Sequence, residues 1–345
     1  MALARLELHA LTRWITAAAL AHPGRLDAEV MARTGVSQRV ARRALKNLVA
    51  LGWLVVGGTV RRKTHRPGVL RQVIHRYALD GLSEDRPWAQ DFAPCFALPP
   101  AVNRMVQHAF SELLNNAIDH SGGTHVTVSL RQTGSHAQLL VSDNGFGLFQ
   151  RLASGFGLDD PTQAMLELSK GKLSSQPERH SGQGLYFTAQ LADVFDLHAN
   201  EAAFQRREWQ GGGWHPQRAL KHEGTSVYAA FALDTTRTLA AVREAHSIDG
   251  LGVGFDRTRV PLRLMTSAVT GLESRAQARH VAARLHEFQC ADLDFDGIGD
   301  VGHAFTDELF RVLARQQPGL VLAPINMTAR VAAMVNSVRG PGLTR

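Results

Sequence analysis

Apolar residues recur at helical spacing through about residue 50, switch to strand-like alternation in the middle of the chain, and mix both periods beyond about residue 235. Residues 8–21 carry a helical stripe that Pro23 and Gly24 end. Residues 27–33 predict a second short helix, Thr34, Gly35 and Val36 a turn, and Ser37 the N-cap of a third helix running to Leu51. Ala32, Val36, Val40, Ala44, Leu45 and Leu48 form the apolar face of this pair, which leaves Arg39, Arg42, Arg43 and Lys46 on the outside. A strand over 53–56, a turn at Gly57 and Gly58, and a return strand over 59–63 follow, the last ending in Arg61, Arg62 and Lys63.

Asp80, Glu84, Asp85 and Asp91 then stand among Gly81, Pro87 and Pro94, the composition of a linker that Trp88 and Phe92 pin to a neighbour. Pro99 and Pro100 open a long helix, followed by strands at 124–130 and 137–142, a helix at 185–194, a hairpin turn at 206–214 around three glycines, and a strand at 225–233. The last part reads as alternating strands (262–266, 291–295, 320–323) and helices (272–288, 301–314, 327–338), a small α/β domain.

At 345 residues, with 44% hydrophobic and 20% charged positions, the chain is long enough for two or three soluble domains, each with its own core. No run of eighteen apolar residues appears, so no membrane span is expected. Arg13 interrupts the alanine-rich stretch at 14–21, which therefore reads as a first helix and not as a signal peptide. Two cysteines are too few for a disulfide framework or a zinc site, which points to a cytoplasmic protein. Charge is uneven. Residues 1–80 hold 14 Lys and Arg against 4 Asp and Glu, a net of +10, so the remainder of the +7 chain carries −3. A basic excess confined to one end is the footprint of a nucleic-acid-binding module.

Three stretches in the middle suit the holding of a nucleotide. Glu112, Asn116 and His120 are spaced i, i+4, i+8 and share one helix face, while Leu113, Leu114, Ala117 and Ile118 turn mainly to the core. A buried carboxylate beside an amide costs several kcal/mol unless something binds them, so the stripe points to a ligand. An apolar strand then delivers Asp143, Asn144, Gly145, Phe146 and Gly147; the glycines allow a tight turn beside a flat ligand, and Asp143 can accept a hydrogen bond from an exocyclic amine such as that of adenine. Gly182 and Gly184 open an apolar helix whose free amides would face an anion, a phosphate site.

Together with Gly224 and Thr225, these motifs resemble, in order, the ATP-binding domain shared by gyrase, the Hsp90 chaperones, histidine kinases and mismatch-repair ATPases. The resemblance implies ATP and Mg²⁺ as cofactors. It implies that Asn116 ligates magnesium, Asp143 binds the adenine amine, Gly182 and Gly184 donate amides to phosphate, Thr225 supports the adenine end, and Glu112 is the general base. It also implies a lid over 148–180, whose Lys170, Lys172 and Arg179 are candidates to reach a terminal phosphate. Phosphoryl transfer in such a site rests mainly on positioning and on charge neutralisation by the metal.

The N-terminal order of helices and hairpin resembles bacterial winged-helix regulators, which implies that the third helix enters the major groove of double-stranded DNA and that the wing touches its backbone or minor groove. A small protein-docking module with a solvated basic face is the alternative. Residues 292–310 resemble the STAS-like domain of anti-anti-sigma regulators, more closely the variant directly behind an ATP-binding domain of this type. Phosphorylatable members carry a serine where Gly302, His303 and Ala304 stand here, and Thr306 is the nearest hydroxyl. Asp292, Asp294, Asp296 and Asp300 read as a polar strand end and a helix cap in preference to a metal cluster. His180 and His303 read as ordinary polar residues.

The expected organisation is α+β and multidomain. A winged helix-turn-helix occupies 1–80, a linker 81–98, a Bergerat-type α/β sandwich with a mixed sheet and helices on one face 99–234, and a STAS-like α/β domain 235–345. The expected function is an ATP-binding regulator that couples nucleotide to DNA or to a regulatory protein partner, and a homodimer is compatible with it. A serine/threonine kinase of the anti-sigma class and a DNA-binding scaffold with a non-hydrolysed nucleotide are the competing readings.

Overall fold

A computed structural model of the chain describes residues 7–59, 62–158, 160–173, 182–220, 222–266 and 271–339. Arg61, Arg179 and His180 lie outside the described residues. Four helices come first: α1 (Leu8–Thr12), α2 (Ile15–Ala21), α3 (Leu26–Thr34) and α4 (Gln38–Ala50). Strands β1 (Leu54–Gly58), β2 (Lys63–Pro67) and β3 (Arg71–Ala78) precede α5 (Pro100–His120), β4 (His125–Gln132) and β5 (His136–Asp143). Helices α6 (Leu148–Phe156), α7 (Pro161–Lys170) and α8 (Gly184–Leu191) lead to β6 (Val194–Asn200), β7 (Ala202–Arg207), β8 (Trp214–Pro216) and β9 (His222–Ala232). The remainder is α9 (Leu239–Ala245), β10 (Arg257–Pro261), α10 (Arg275–Ala282), β11 (Cys290–Asp294), α11 (His303–Asp307), a π-helical segment Glu308–Leu313, α12 (Ala314–Gln316), β12 (Val321–Ile325) and α13 (Ala329–Arg339).

The chain divides into two compact units, Met1–Gly145 with Ser226–Thr236, and Phe146–Thr225 with Arg237–Arg345. In the first, Leu11, Ile15, Ala18, Leu26, Val30, Ala41, Leu45, Leu48 and Trp53 build one apolar core under α1 to α4. Gly35 ends α3 in the left-handed region at φ 70°, a conformation glycine adopts at little cost. The single stripe expected over 8–21 is broken at Arg13 and Trp14 into α1 and α2, and Ala32, expected in the core, is exposed.

The hairpin differs in register from the expectation. Its turn closes between Thr59 and Arg62, whose backbone groups exchange hydrogen bonds of 3.2 and 3.1 Å, so Lys63 begins the return strand. Gly57 and Gly58 end β1 instead of forming the turn. Gly58 has φ 82°, and a Cβ there would lie 2.2 Å from the Arg62 carbonyl oxygen, so its glycine serves the approach of the two strands.

Only residues 68–70 separate the hairpin from β3, which pairs antiparallel with β4 from Arg71 opposite Gln132 to Ala78 opposite His125. The Thr16 hydroxyl, fully buried on α2, accepts from the Gln72 amide of that strand at 3.1 Å. Pro87–Phe92 forms a π-helical segment, and its buried Trp88 and Phe92 meet Phe110 of α5 in tilted and edge-on contacts with ring centres 5.2 and 5.0 Å apart.

The larger sheet has seven strands in the order β3-β4-β5-β9-β6-β7-β8. Antiparallel pairing joins β3 to β4, β4 to β5, β5 to β9, β6 to β7 and β7 to β8, in place of the mixed sheet expected. Alternate residues of β4, β5 and β6 are buried, the pattern of strands with one face on a core.

In the second unit, β10, β11 and β12 form a three-stranded parallel sheet, with α10 in the first connection and α11 to α12 in the second. The first strand lies at 257–261 and not at 262–266, where a 3-10 turn stands. Pro261 has no amide to continue the ladder, and Thr258 and Val260, both fully buried, set the inward face. Arg257 and Arg259 point the other way, onto Asp292 at 2.9 Å and Asp294 at 2.7 Å. Those ion pairs, with Asn326 donating to Asp294 at 2.8 Å, account for the aspartates at the strand end. Among the described residues, no group of three or more His, Cys, Asp or Glu is placed to hold a metal, and no helix is long and apolar enough to cross a membrane.

Candidate nucleotide site

The first unit supplies a helix face and a strand end. Helix α5 buries Val102, Met105, Val106, Ala109, Phe110, Leu113, Leu114 and Ala117. This stripe fixes the helix rotation, so Glu112 and Asn116, one turn apart, share the half-buried polar face. Glu112 Oε1 lies 3.8 Å from His108 Nδ1, a neighbour one turn earlier that the motif does not contain but that i, i+4 spacing makes legible.

Asp143 ends β5 with 7% of its surface exposed, and its Oδ1 accepts from the Gly145 amide at 2.8 Å. Asn144 turns the other way, its Oδ1 accepting from the amides of Thr124 and His125 at 3.0 and 2.9 Å. Gly145 has a structural reason to be glycine: a Cβ would stand 2.2 Å from the carbonyl oxygen of Ser121, just past α5. The close approach of strand end to helix end thus needs this residue, whatever the loop binds.

Gly147, Gly182, Gly184 and Thr225 belong to the second unit. Gly147 precedes α6 at φ 85°, with the Asn200 side-chain amide so close that a Cβ would meet its nitrogen at 2.5 Å. Thr225 Oγ1 accepts from the Leu148 amide at 2.9 Å, satisfying a donor in the first turn of α6. Gly182 has φ 64° and faces the Leu173 backbone, where a Cβ would come within 2.6 Å. Gly184 starts α8, whose N-cap residue Gln183 makes no side-chain capping bond. That helix ends at Leu191 and β6 begins at Val194, so the apolar run 185–194 is helix followed by strand.

Lys170 and Lys172, the described lysines of the expected lid, both bond groups of the second unit. Lys170 is fully buried, and its ammonium donates to Glu167 at 2.5 Å and to the carbonyls of Ala283 and His280 at 2.8 and 3.2 Å. Burial pushes its pKa down and Glu167 opposes the shift. Lys172, expected among the nucleotide ligands, donates to the Glu287 carbonyl at 2.6 Å and stands 4.4 Å from the Phe288 ring centre. Arg284 closes the network, with hydrogen bonds to Glu287 at 2.9 Å and to the Gly171 carbonyl at 3.1 Å.

Residues 101–233 match the family of histidine kinase-, DNA gyrase B- and HSP90-like ATPases. Residues 277–331 match a STAS-like domain of unknown function, DUF4325. No curated protein matches the chain. Glu112, Asn116, Asp143, Gly145, Gly147, Gly182, Gly184 and Thr225 all fall inside the ATPase match. Helices α1 to α4 and the hairpin lie outside both matches.

Asn200 is the residue of this region that motif reading missed. Its Nδ2 donates to the Phe146 carbonyl at 2.8 Å and its Oδ1 accepts from the Gly224 amide at 3.1 Å. The only trace in sequence is an asparagine at a strand end, a residue that tolerates the left-handed turn it occupies at φ 52°.

Proposed function

We propose that the chain is an ATP-dependent regulator whose central domain binds magnesium ATP and whose basic N-terminal helices bind double-stranded DNA. The observation that carries the first part is Asp143, a buried carboxylate ending a strand within an ATPase-family match. In this reading it accepts from the adenine amine, Thr225 supports the same end of the base, and Gly145 and Gly147 let the backbone pass close by. The amides after Gly182 and Gly184 suit phosphate, and the uncapped start of α8 supports that role.

Magnesium fits the donor set, because it keeps water and phosphate oxygens and asks for few protein ligands, here the Asn116 amide oxygen. The ion would neutralise charge on the phosphates. Glu112 orients and deprotonates the attacking hydroxyl or water. Lys172, held at Glu287, is left out of the phosphate set.

For the second part, the support is a helix, turn, helix and hairpin order with exposed Arg39, Arg43 and Lys46 on α4 and exposed Arg62 and Lys63 at the hairpin. This order supports the reading as a winged helix-turn-helix. Arg42 contributes less, since its Nε bonds Asp27 at 3.2 Å. Nucleotide then biases DNA or protein binding to the extent that ATP prefers one state of the chain.

A kinase acting on its own STAS-like domain is disfavoured, because the Thr306 hydroxyl is fully buried and donates to the Gly302 carbonyl at 2.9 Å. Calorimetry with ATP and Mg²⁺ tests the central claim, and absence of heat would overturn it. Labelled ATP separates the readings: released phosphate marks an ATPase, labelled protein a kinase, and tight binding without turnover a scaffold.

A further inference from the structure

We infer that Asn200, outside every motif, is a positioning residue that locks the glycine loop at Phe146–Gly147 and the Gly224–Thr225 turn into one arrangement; the inference rests on the nucleotide reading of those two motifs. Asn200 makes one hydrogen bond to each segment. Its Nδ2 donates to the Phe146 carbonyl at 2.8 Å, and its Oδ1 accepts from the Gly224 amide at 3.1 Å. A further hydrogen bond runs from the Leu148 amide to Thr225 Oγ1 at 2.9 Å.

The carboxamide can do both jobs at once, since it presents a donor and an acceptor on a single rigid plane. Aspartate keeps only the acceptor. The plane lies against Gly147, where a Cβ would meet Nδ2 at 2.5 Å, so the glycine of the motif makes room for the asparagine as well as for any ligand. Asn200 itself sits at φ 52° at the end of β6, a turn that fixes where its side chain starts. Gly147 and Thr225 are thereby held together by a residue that would touch neither base nor phosphate. Loosening it lets the loop and the turn move separately, and the cost falls on nucleotide affinity through lost preorganisation.

Asn200→Gly and Asn200→Asp in the full chain test this, because glycine accepts the left-handed backbone without strain and removes only the bridge. Amide exchange read by NMR without nucleotide should accelerate at both Gly224 and Leu148 in Asn200→Gly. In Asn200→Asp it should accelerate at Leu148 while Gly224 stays protected. Mg-ATP affinity should fall about tenfold in Asn200→Gly and less in Asn200→Asp, with the melting temperature little changed. Unchanged exchange and unchanged affinity in Asn200→Gly would overturn the inference. If the unaltered chain binds no ATP, the nucleotide reading fails, and the exchange rates by themselves still support or overturn the bridge.

Discussion

The ammonium of Lys170 lies 2.5 Å from Glu167 Oε1, three residues back on α7, and neither side chain has appreciable access to solvent. Glu167 also faces Arg284 at 3.4 Å, and the two remaining contacts of Lys170 are backbone carbonyls of the α10 region. A charge so placed is stable only while every partner is present.

Lys170→Met should therefore destabilise the protein by about 3 kcal/mol, because it leaves Glu167 buried with a single, longer partner. Glu167→Gln combined with Lys170→Met should recover part of that loss, since no uncompensated charge then remains. Urea denaturation of the two variants measures the difference. Equal loss in both would mean that packing, and not charge, sets the cost.

Asp143→Ala should abolish adenine-nucleotide binding. Glu112→Ala should leave binding within a few-fold and lower any turnover by about 100-fold, the size of a general-base effect. Calorimetry paired with a phosphate-release assay separates the two. Equal loss of affinity in both variants would reverse the assigned roles.

The DNA proposal makes a statement about salt. Replacing Arg39 and Arg43 with Ala should weaken association with duplex DNA and flatten the log-log dependence on salt by about two units of slope, while leaving ATP affinity unchanged. Arg42→Ala should do less, its guanidinium already being bonded to Asp27. Titrations at several salt concentrations decide, and an unaltered slope would turn the basic helix into a protein-docking face.

His246 stands among Tyr186, Phe255 and Phe187 at ring distances of 5.1, 5.8 and 5.9 Å. Burial pushes its pKa below the ordinary value, against a hydrogen bond to the Arg257 carbonyl that favours the charged form. The unfolded chain takes up this proton first, so the residue's contribution is complete above about pH 6.5 and is lost as pH falls through the lower folded value. His246→Phe should show a smaller drop in melting temperature between pH 7 and pH 5 than the unaltered chain. Some slope should persist, because His65, His198 and His215 are shifted the same way by burial.

Much of the central domain was legible because its signals are local. Strand alternation marked β4 and β5 within a residue or two, and Asp143 with its glycines is a contiguous motif. What escaped depends on partners far along the chain. Lys172 reads as a lid cation until Glu287, 115 residues on, is seen to hold it. The strand β3 hides because its sequence RQVIHRYA carries charge and only Val73 is buried, as an edge position permits. Gly57 and Gly58 spell a turn by composition, yet the turn falls beyond them because Gly58 is spent on a close strand approach. The aspartates of β11 pair with arginines on β10, partners that composition hides because that strand lies five residues earlier than the apolar run at 262–266 suggests.

The three residues joining the hairpin to the sheet leave no tether to absorb motion. Gly68 donates to Trp53 at 2.8 Å and Leu70 to Gly52 at 3.0 Å, so even this short passage is bonded down. With Thr16 bonded to Gln72 as well, the basic helices and the sheet's outer strand share one hydrogen-bonded joint and not a loose linker.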